Sequence, residues 1–270
     1  MPTLGCIPSP PDIRDYKLVV AGSAGPLPES FELIPPKVKN QGGTSSCVAH
    51  AASSAVEYFH TQEHEAVAQF STEFIYGYRP KDYYQGNGMV IREALQTLVK
   101  LGDVFWINLP GNHQVEEARK NVEEHLEALT PLAAPHKIAE YYRCRSIEDM
   151  KRALVAGHPL VCCIAVRRGD HLDRTYVWRT DTSAEVTGYH ALMIYGYNEL
   201  GFLTQNSWGT GWGQGGRFIL PYDFEVGEVW GLRDQADPEG EDNIKRPFHS
   251  FIGQIIAKVI NFFLKLCGNK

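Results

Sequence analysis

The sequence predicts an α+β fold in two lobes, helices leading and strands following. Two observations carry this. Runs before about residue 135 favour helix, and from Leu160 onward short apolar runs alternate with glycine-bearing turns. A third observation bounds it: 270 residues, 43% hydrophobic and 21% charged, suit one large domain or two small ones with a real core. That composition excludes disordered, collagen-like and coiled-coil chains. A net charge of −6 offers no basic field, so no nucleic-acid partner is expected.

Residues 1–40 carry SPPD at 9–12, PLPES at 26–30 and IPP at 34–36, and are expected to run extended over a surface. From Cys47 to about His60 the residues are small and unbroken by Pro or Gly, which predicts a helix. A second helix is expected over Met89 to Leu101, with Asn87 before it and Gly102 just past its end. An acidic third spans Val115 to Leu129. SIEDMKRALVAG reads as a short helix capped by Ser146, with Asp149 three residues on, and stopped at Gly157.

Leu160 to Val166 is an apolar run of buried-strand length, and strands are expected again at 190–198, 202–205 and 217–222. Residues 233–247 are polar and bear Pro and Gly, as a linker does. Wound at 100° per residue, Phe248 to Cys267 puts ten apolar side chains, Phe251, Ile255 and Phe262 among them, on one half of a helix. Lys258 lies mid-segment, which argues against a spanning helix. The apolar half must meet a surface: the same domain, a second copy, or peripherally an anionic membrane.

Six cysteines are too sparse for a disulfide scaffold, and no C-x-x-C or histidine spacing signals a metal. His60 and His64 are four apart without a third ligand. Neither metal nor cofactor is expected. The first residues show no basic start and no apolar signal core, which predicts a reducing, cytoplasmic setting.

The sharpest chemical feature is QGGTSSCVAHA, Gln41 to Ala51, in which Cys47 opens a helix. Backbone N–H groups and the helix dipole there favour a thiolate, the nucleophilic form. A buried small residue is the plain alternative for Cys47 taken alone. His190 stands about 140 residues later, within the roughly 130–150 expected for a nucleophile and base joined by folding. Asn206 follows, and its side-chain carbonyl suits the acceptor that orients a histidine. Trp208 is placed to cover that bond.

The Gln41–Cys47 segment, Tyr-His-Ala at 189–191 and NSWGTGWG at 206–213 together resemble the papain-like cysteine peptidases. LPESFELIPPKVKNQG is similar to the start of the family's mature chain, and the likeness covers roughly residues 27 to 222. The resemblance implies a helical lobe over about 27–135 and an antiparallel, barrel-like β lobe over about 136–232, with the active site in the cleft between them. Residues 1–26 become a pro-like segment, shorter than the helical pro-regions of many relatives. By the same resemblance Cys47 is the nucleophile, His190 the base and acid, and Asn206 the orienter. The Gln41 side chain and the Cys47 backbone N–H form the oxyanion hole. Gly88 or Met89 meets the substrate backbone, and Val90, Ile91, Cys163 and Ala191 line an apolar pocket for the second residue before the cut.

Departures from the family pattern are also visible. Thr44 replaces a disulfide cysteine, and Ser45 replaces a glycine beside the substrate's path. His50, one turn past Cys47, reads as a packed helix residue rather than a second base. The expected function is hydrolysis of polypeptide through a thioester acyl-enzyme. The alternatives are acyl transfer on the same dyad, or an inactive binding module, which would be expected to have lost Cys47 or His190.

Overall fold

The computed structural model describes residues 3–12, 15 and 25–235. In chain order these form β1 (Cys6–Ile7), β2 (Phe31–Glu32), α1 (Cys47–His64), α2 (Thr72–Gly77), β3 (Met89–Val90), α3 (Ile91–Lys100), α4 (Val115–Ala133) and β4 (Ile138–Arg143). There follow α5 (Ile147–Val155), β5 (Leu160–Arg167), β6 (His171–Leu172), β7 (Trp178–Arg179), β8 (Val186–Tyr197), β9 (Gly201–Gln205), β10 (Arg217–Pro221) and β11 (Val226–Asp234).

The fold is the expected α+β pair of lobes. The main sheet is antiparallel and runs β10–β9–β8–β5–β11–β4, with β2 pairing on β8. Helices α1 to α4 lie in the chain between β2 and β4. Helix α1 is buried from Cys47 through Phe59. Its alanines and serines let backbone and neighbours approach on every side, so it serves as a core helix rather than an amphipathic one. Ser146 and Asp149 make the expected reciprocal capping box on α5.

Several expectations are corrected. Helix α3 begins at Ile91 rather than Met89, because Met89 and Val90 pair with β1 as a short parallel ladder. Helix α4 runs four residues further, through Pro131 to Ala133. Strand β8 starts four residues earlier than the predicted run, where polar residues outside the core obscure the pattern. Three elements give no clear sequence signal: α2, capped by the Ser71 hydroxyl accepting from Phe74 N–H; β4, mostly half-buried; and β11, interrupted by two glycines. Gly231 in β11 is required by close approach, since a Cβ there would meet the Tyr142 ring at 2.5 Å. Phe31 and Glu32 pair with Tyr197 and Gly196 and so extend the main sheet. Arg233 and Asp234 belong to β11 rather than to the linker. The remaining linker residues beyond 235, and the amphipathic helix expected over 248–267, lie outside the described residues. Among the described residues no helix is long and apolar enough to cross a membrane.

Candidate active site

Cys47 occupies the first position of α1, after Ser46, which makes no side-chain cap bond. His190 sits in β8 opposite Ile164 of β5, and Asn206 directly follows β9, the next strand in the sheet. The sheet thereby brings the histidine and asparagine together: His190 Nε2 lies 2.8 Å from Asn206 Oδ1. The same Oδ1 accepts the Ser207 backbone N–H at 2.7 Å, which fixes the amide's rotation. Trp208 stacks on the imidazole with ring centroids 4.6 Å apart and planes 27° from parallel. Trp208 is itself held against Trp178 and Trp212. His190 Nδ1, the nitrogen turned away from Asn206, is buried and has no hydrogen-bond partner.

Gln41 is buried, and each end of its side-chain amide is engaged. Its Oε1 accepts the Ser207 hydroxyl at 2.6 Å. Its Nε2 donates at 2.8 Å to the Thr44 carbonyl and at 2.8 Å to the carbonyl of Thr3. The second bond comes from the N-terminal segment. Residues 3–9 form a strap across the site: the Thr3 hydroxyl donates to the Gly43 carbonyl, the Gly5 carbonyl accepts Met89 N–H at 2.8 Å, and Ser9 N–H donates to Glu228. A Cβ on Gly5 would lie 2.1 Å from the Ser45 carbonyl oxygen, so only glycine passes there. Gly88, at φ +90°, gives the strap the same close passage from the other side.

The strap sets the electrostatics. Cys47 is fully buried, and desolvation pushes its thiol up to about 12, against backbone hydrogen bonds from Ala191, Gly5 and Val48 that pull the other way. The expected thiolate is therefore absent in this covered state. Burial outweighs a helix N-terminus when no water reaches the sulfur. Burial likewise holds His190 down to about 4, opposed by the Asn206 bond, so the ring is neutral at pH 7. His50 is neutral too, lowered to about 3 by burial, with its Nδ1 3.0 Å from the Ser46 carbonyl.

Where the family's disulfide cysteine is missing, a polar cluster pins the loop instead. The Thr44 hydroxyl lies 2.6 Å from the Ser46 hydroxyl, and both reach Asn112 Oδ1, at 3.0 and 3.1 Å. Asn112 Nδ2 returns a 2.7 Å bond to the Gln41 carbonyl. Asn112 and Ser207 carry no sequence signal for this work, because each acts through a loop distant in the chain.

The residues expected to line a substrate pocket separate into two groups. Ala191, Cys163 and Glu228 are successive cross-strand partners on β8, β5 and β11, so their side chains share one face. Cys163 meets Cys6 of the strap there. Met89 pairs with the strap backbone and, like Ile91 at the head of α3, is fully buried. Glu228 makes that face less apolar than expected. Nothing in the run VGEVWG marks it from sequence alone.

A family model described as papain family cysteine protease matches residues 28–227. An uncharacterized peptidase C1-like protein of Acanthamoeba polyphaga mimivirus is 25% identical over 221 residues, which is 74% of this chain and 70% of the viral one. A viral cathepsin of Spodoptera litura multicapsid nucleopolyhedrovirus is 26% identical over 212 residues, 74% of this chain and 59% of the cathepsin. Among solved structures, xylellain, a cysteine protease from Xylella fastidiosa, superposes with a TM-score of 0.70 at 24% identity, covering 86% of this chain and 96% of that one.

Proposed function

The chain belongs to the papain family of cysteine proteases, and on that footing we propose that it hydrolyses peptide bonds through Cys47 and His190 and is held latent by residues 3–9. The single observation that carries the latency is Gln41 Nε2 donating to the Thr3 carbonyl. A strap carbonyl takes the donor that a reacting carbonyl needs.

Once the strap leaves, water and substrate reach Cys47, its burial penalty falls, and the helix N-terminus acts on the sulfur. His190 takes the thiol proton on Nδ1, and Asn206 holds the ring by Nε2. The thiolate attacks the scissile carbonyl carbon, whose oxygen gathers negative charge between Gln41 Nε2 and the Cys47 backbone N–H. Return of the His190 proton to the leaving amine frees it and leaves a thioester. Water, deprotonated by His190, then resolves the thioester to acid and free thiol. Trp208, stacked on His190, keeps solvent from the His190–Asn206 bond.

The strap also reaches the nucleophile, through a stabilising hydrogen bond from the Gly5 backbone to the Cys47 sulfur. The preferred substrate carries an apolar residue two before the cut, in the space beside Cys163 and Ala191 where Cys6 now lies. The setting proposed is the cytoplasm.

The test is a peptide-library digest by the full-length protein and by a form lacking residues 1–26, each beside its Cys47→Ala variant. Cleavage that is strong only in the shortened form and absent in both variants is the expected result. Acyl transfer to added amines exceeding hydrolysis would move the assignment to a transferase. No turnover by either form would overturn the peptidase reading.

A further inference from the structure

We infer that Cys6, Cys163 and Glu228 form a binding site for a thiophilic divalent cation, zinc by its donor set, that ties the strap to the sheet. The two sulfurs and a carboxylate oxygen all lie within 4.8 Å of one another. The three residues are 3%, 1% and 5% exposed. Around zinc the bonds to thiolate sulfur run about 2.3 Å and to carboxylate oxygen about 2.0–2.2 Å in a tetrahedral array. The donors therefore need to close by only about 1 Å to hold the ion.

The surroundings are those of a built site. The Glu228 carboxylate is fixed by two donors, Ser9 N–H to Oε1 at 3.1 Å and Trp230 Nε1–H to Oε2 at 3.0 Å. Such outer partners orient a metal-binding carboxylate and leave lone pairs free on both oxygens. Among the described residues no lysine or arginine pairs with Glu228. A carboxylate this deeply buried without a cation is costly, and a bound divalent ion supplies the missing charge. The Cys6 and Cys163 thiols, hydrogen-bonded to each other, supply the soft donors that select zinc over magnesium or calcium.

Binding forms two Zn–S bonds and one Zn–O bond, and the two thiol protons pass to solvent. One ligand comes from the strap and two from the sheet. Zinc therefore fastens the covered state, and chelation loosens it. That consequence for activity rests on the latency proposed above, whereas the binding itself does not.

The experiment uses the reduced full-length chain carrying Cys47→Ala, which removes the catalytic sulfur as a competing ligand. Zinc is titrated against a chromogenic chelator, and cobalt(II) is added separately as a spectroscopic probe. One zinc per chain is expected, with a thiolate-to-cobalt charge-transfer band in the near ultraviolet. Cys6→Ser and Cys163→Ser in the same background should each weaken zinc by more than about tenfold and diminish the band, with Glu228→Gln weakening it less. Folded Cys47→Ala protein that binds no stoichiometric zinc, or shows no thiolate band, overturns the site. So does zinc held equally well after Cys6→Ser. None of these readouts involves turnover, so an inactive enzyme and an absent site give different results.

Discussion

The Gln41 side-chain amide donates a 2.8 Å hydrogen bond to the carbonyl of Thr3, 38 residues away in the chain. The amide is held for this by Ser207, whose hydroxyl fixes the other end of the group at 2.6 Å. The Gln41 amide is therefore already oriented, and the strap occupies its donor.

Gly5 is the point at which the strap is most easily displaced. Because a Cβ there would lie 2.1 Å from the Ser45 carbonyl oxygen, Gly5→Ala is expected to lift the strap without touching the catalytic groups. Cys47, now wetted, should be alkylated by iodoacetamide at neutral pH at least about tenfold faster, the factor that about 1.4 kcal/mol of lost strap binding gives. Mass spectrometry after brief labelling reads this out. Equal labelling of Cys47 in the parent and the variant would show that the strap does not shield it.

Gln41→Ala, made in the Gly5→Ala background, should lower kcat about 10²–10³-fold with little change in KM. Steady-state kinetics on a short peptide measure both. A loss confined to KM would assign Gln41 to binding instead.

Asn112→Ala removes the acceptor shared by the Thr44 and Ser46 hydroxyls and the donor to the Gln41 carbonyl. Leaving those buried groups short of partners should cost about 1–3 kcal/mol. The midpoint of urea unfolding should fall accordingly, and activity in the strap-free form should fall with it. An unchanged midpoint would mean that the loop is held by something other than this cluster.

Acid stability should depend on His50. Burial lowers its native value to about 3 from an unfolded value near 6.5, with Lys39 and His190 adding like-charge repulsion. The unfolded chain therefore binds the proton first. Stability is intact above about pH 6.5 and is lost as pH falls toward 3. His50→Gln, which keeps a donor for the Ser46 carbonyl, should flatten the fall in thermal midpoint between pH 6.5 and 4. A curve as steep as the parent's would assign the acid sensitivity to other groups, His190 first among them.

The sequence alone determined the α+β class and most of the helices and strands, because local pattern carries that information, and its short motifs, with the family resemblance they carry, singled out Gln41, Cys47, His190 and Asn206 as candidates. Ser146 with Asp149 announces a capped helix, and an apolar run such as LVCCIAV announces a buried strand. Interactions that need distant segments side by side are not written locally. Strand β11 hides behind two glycines, of which Gly231 is explained only by the Tyr142 ring packed against it. The Met89–Val90 strand reads as helix until Cys6 and Ile7 pair with it. Cys6, Cys163 and Glu228 show no ligand spacing, and only the strap and two neighbouring strands bring their donors within 4.8 Å. The protonation of Cys47 followed the same rule. A helix N-terminus promises a thiolate, but whether the sulfur meets water is set by residues 3–9 folding back over it, and desolvation is the larger effect.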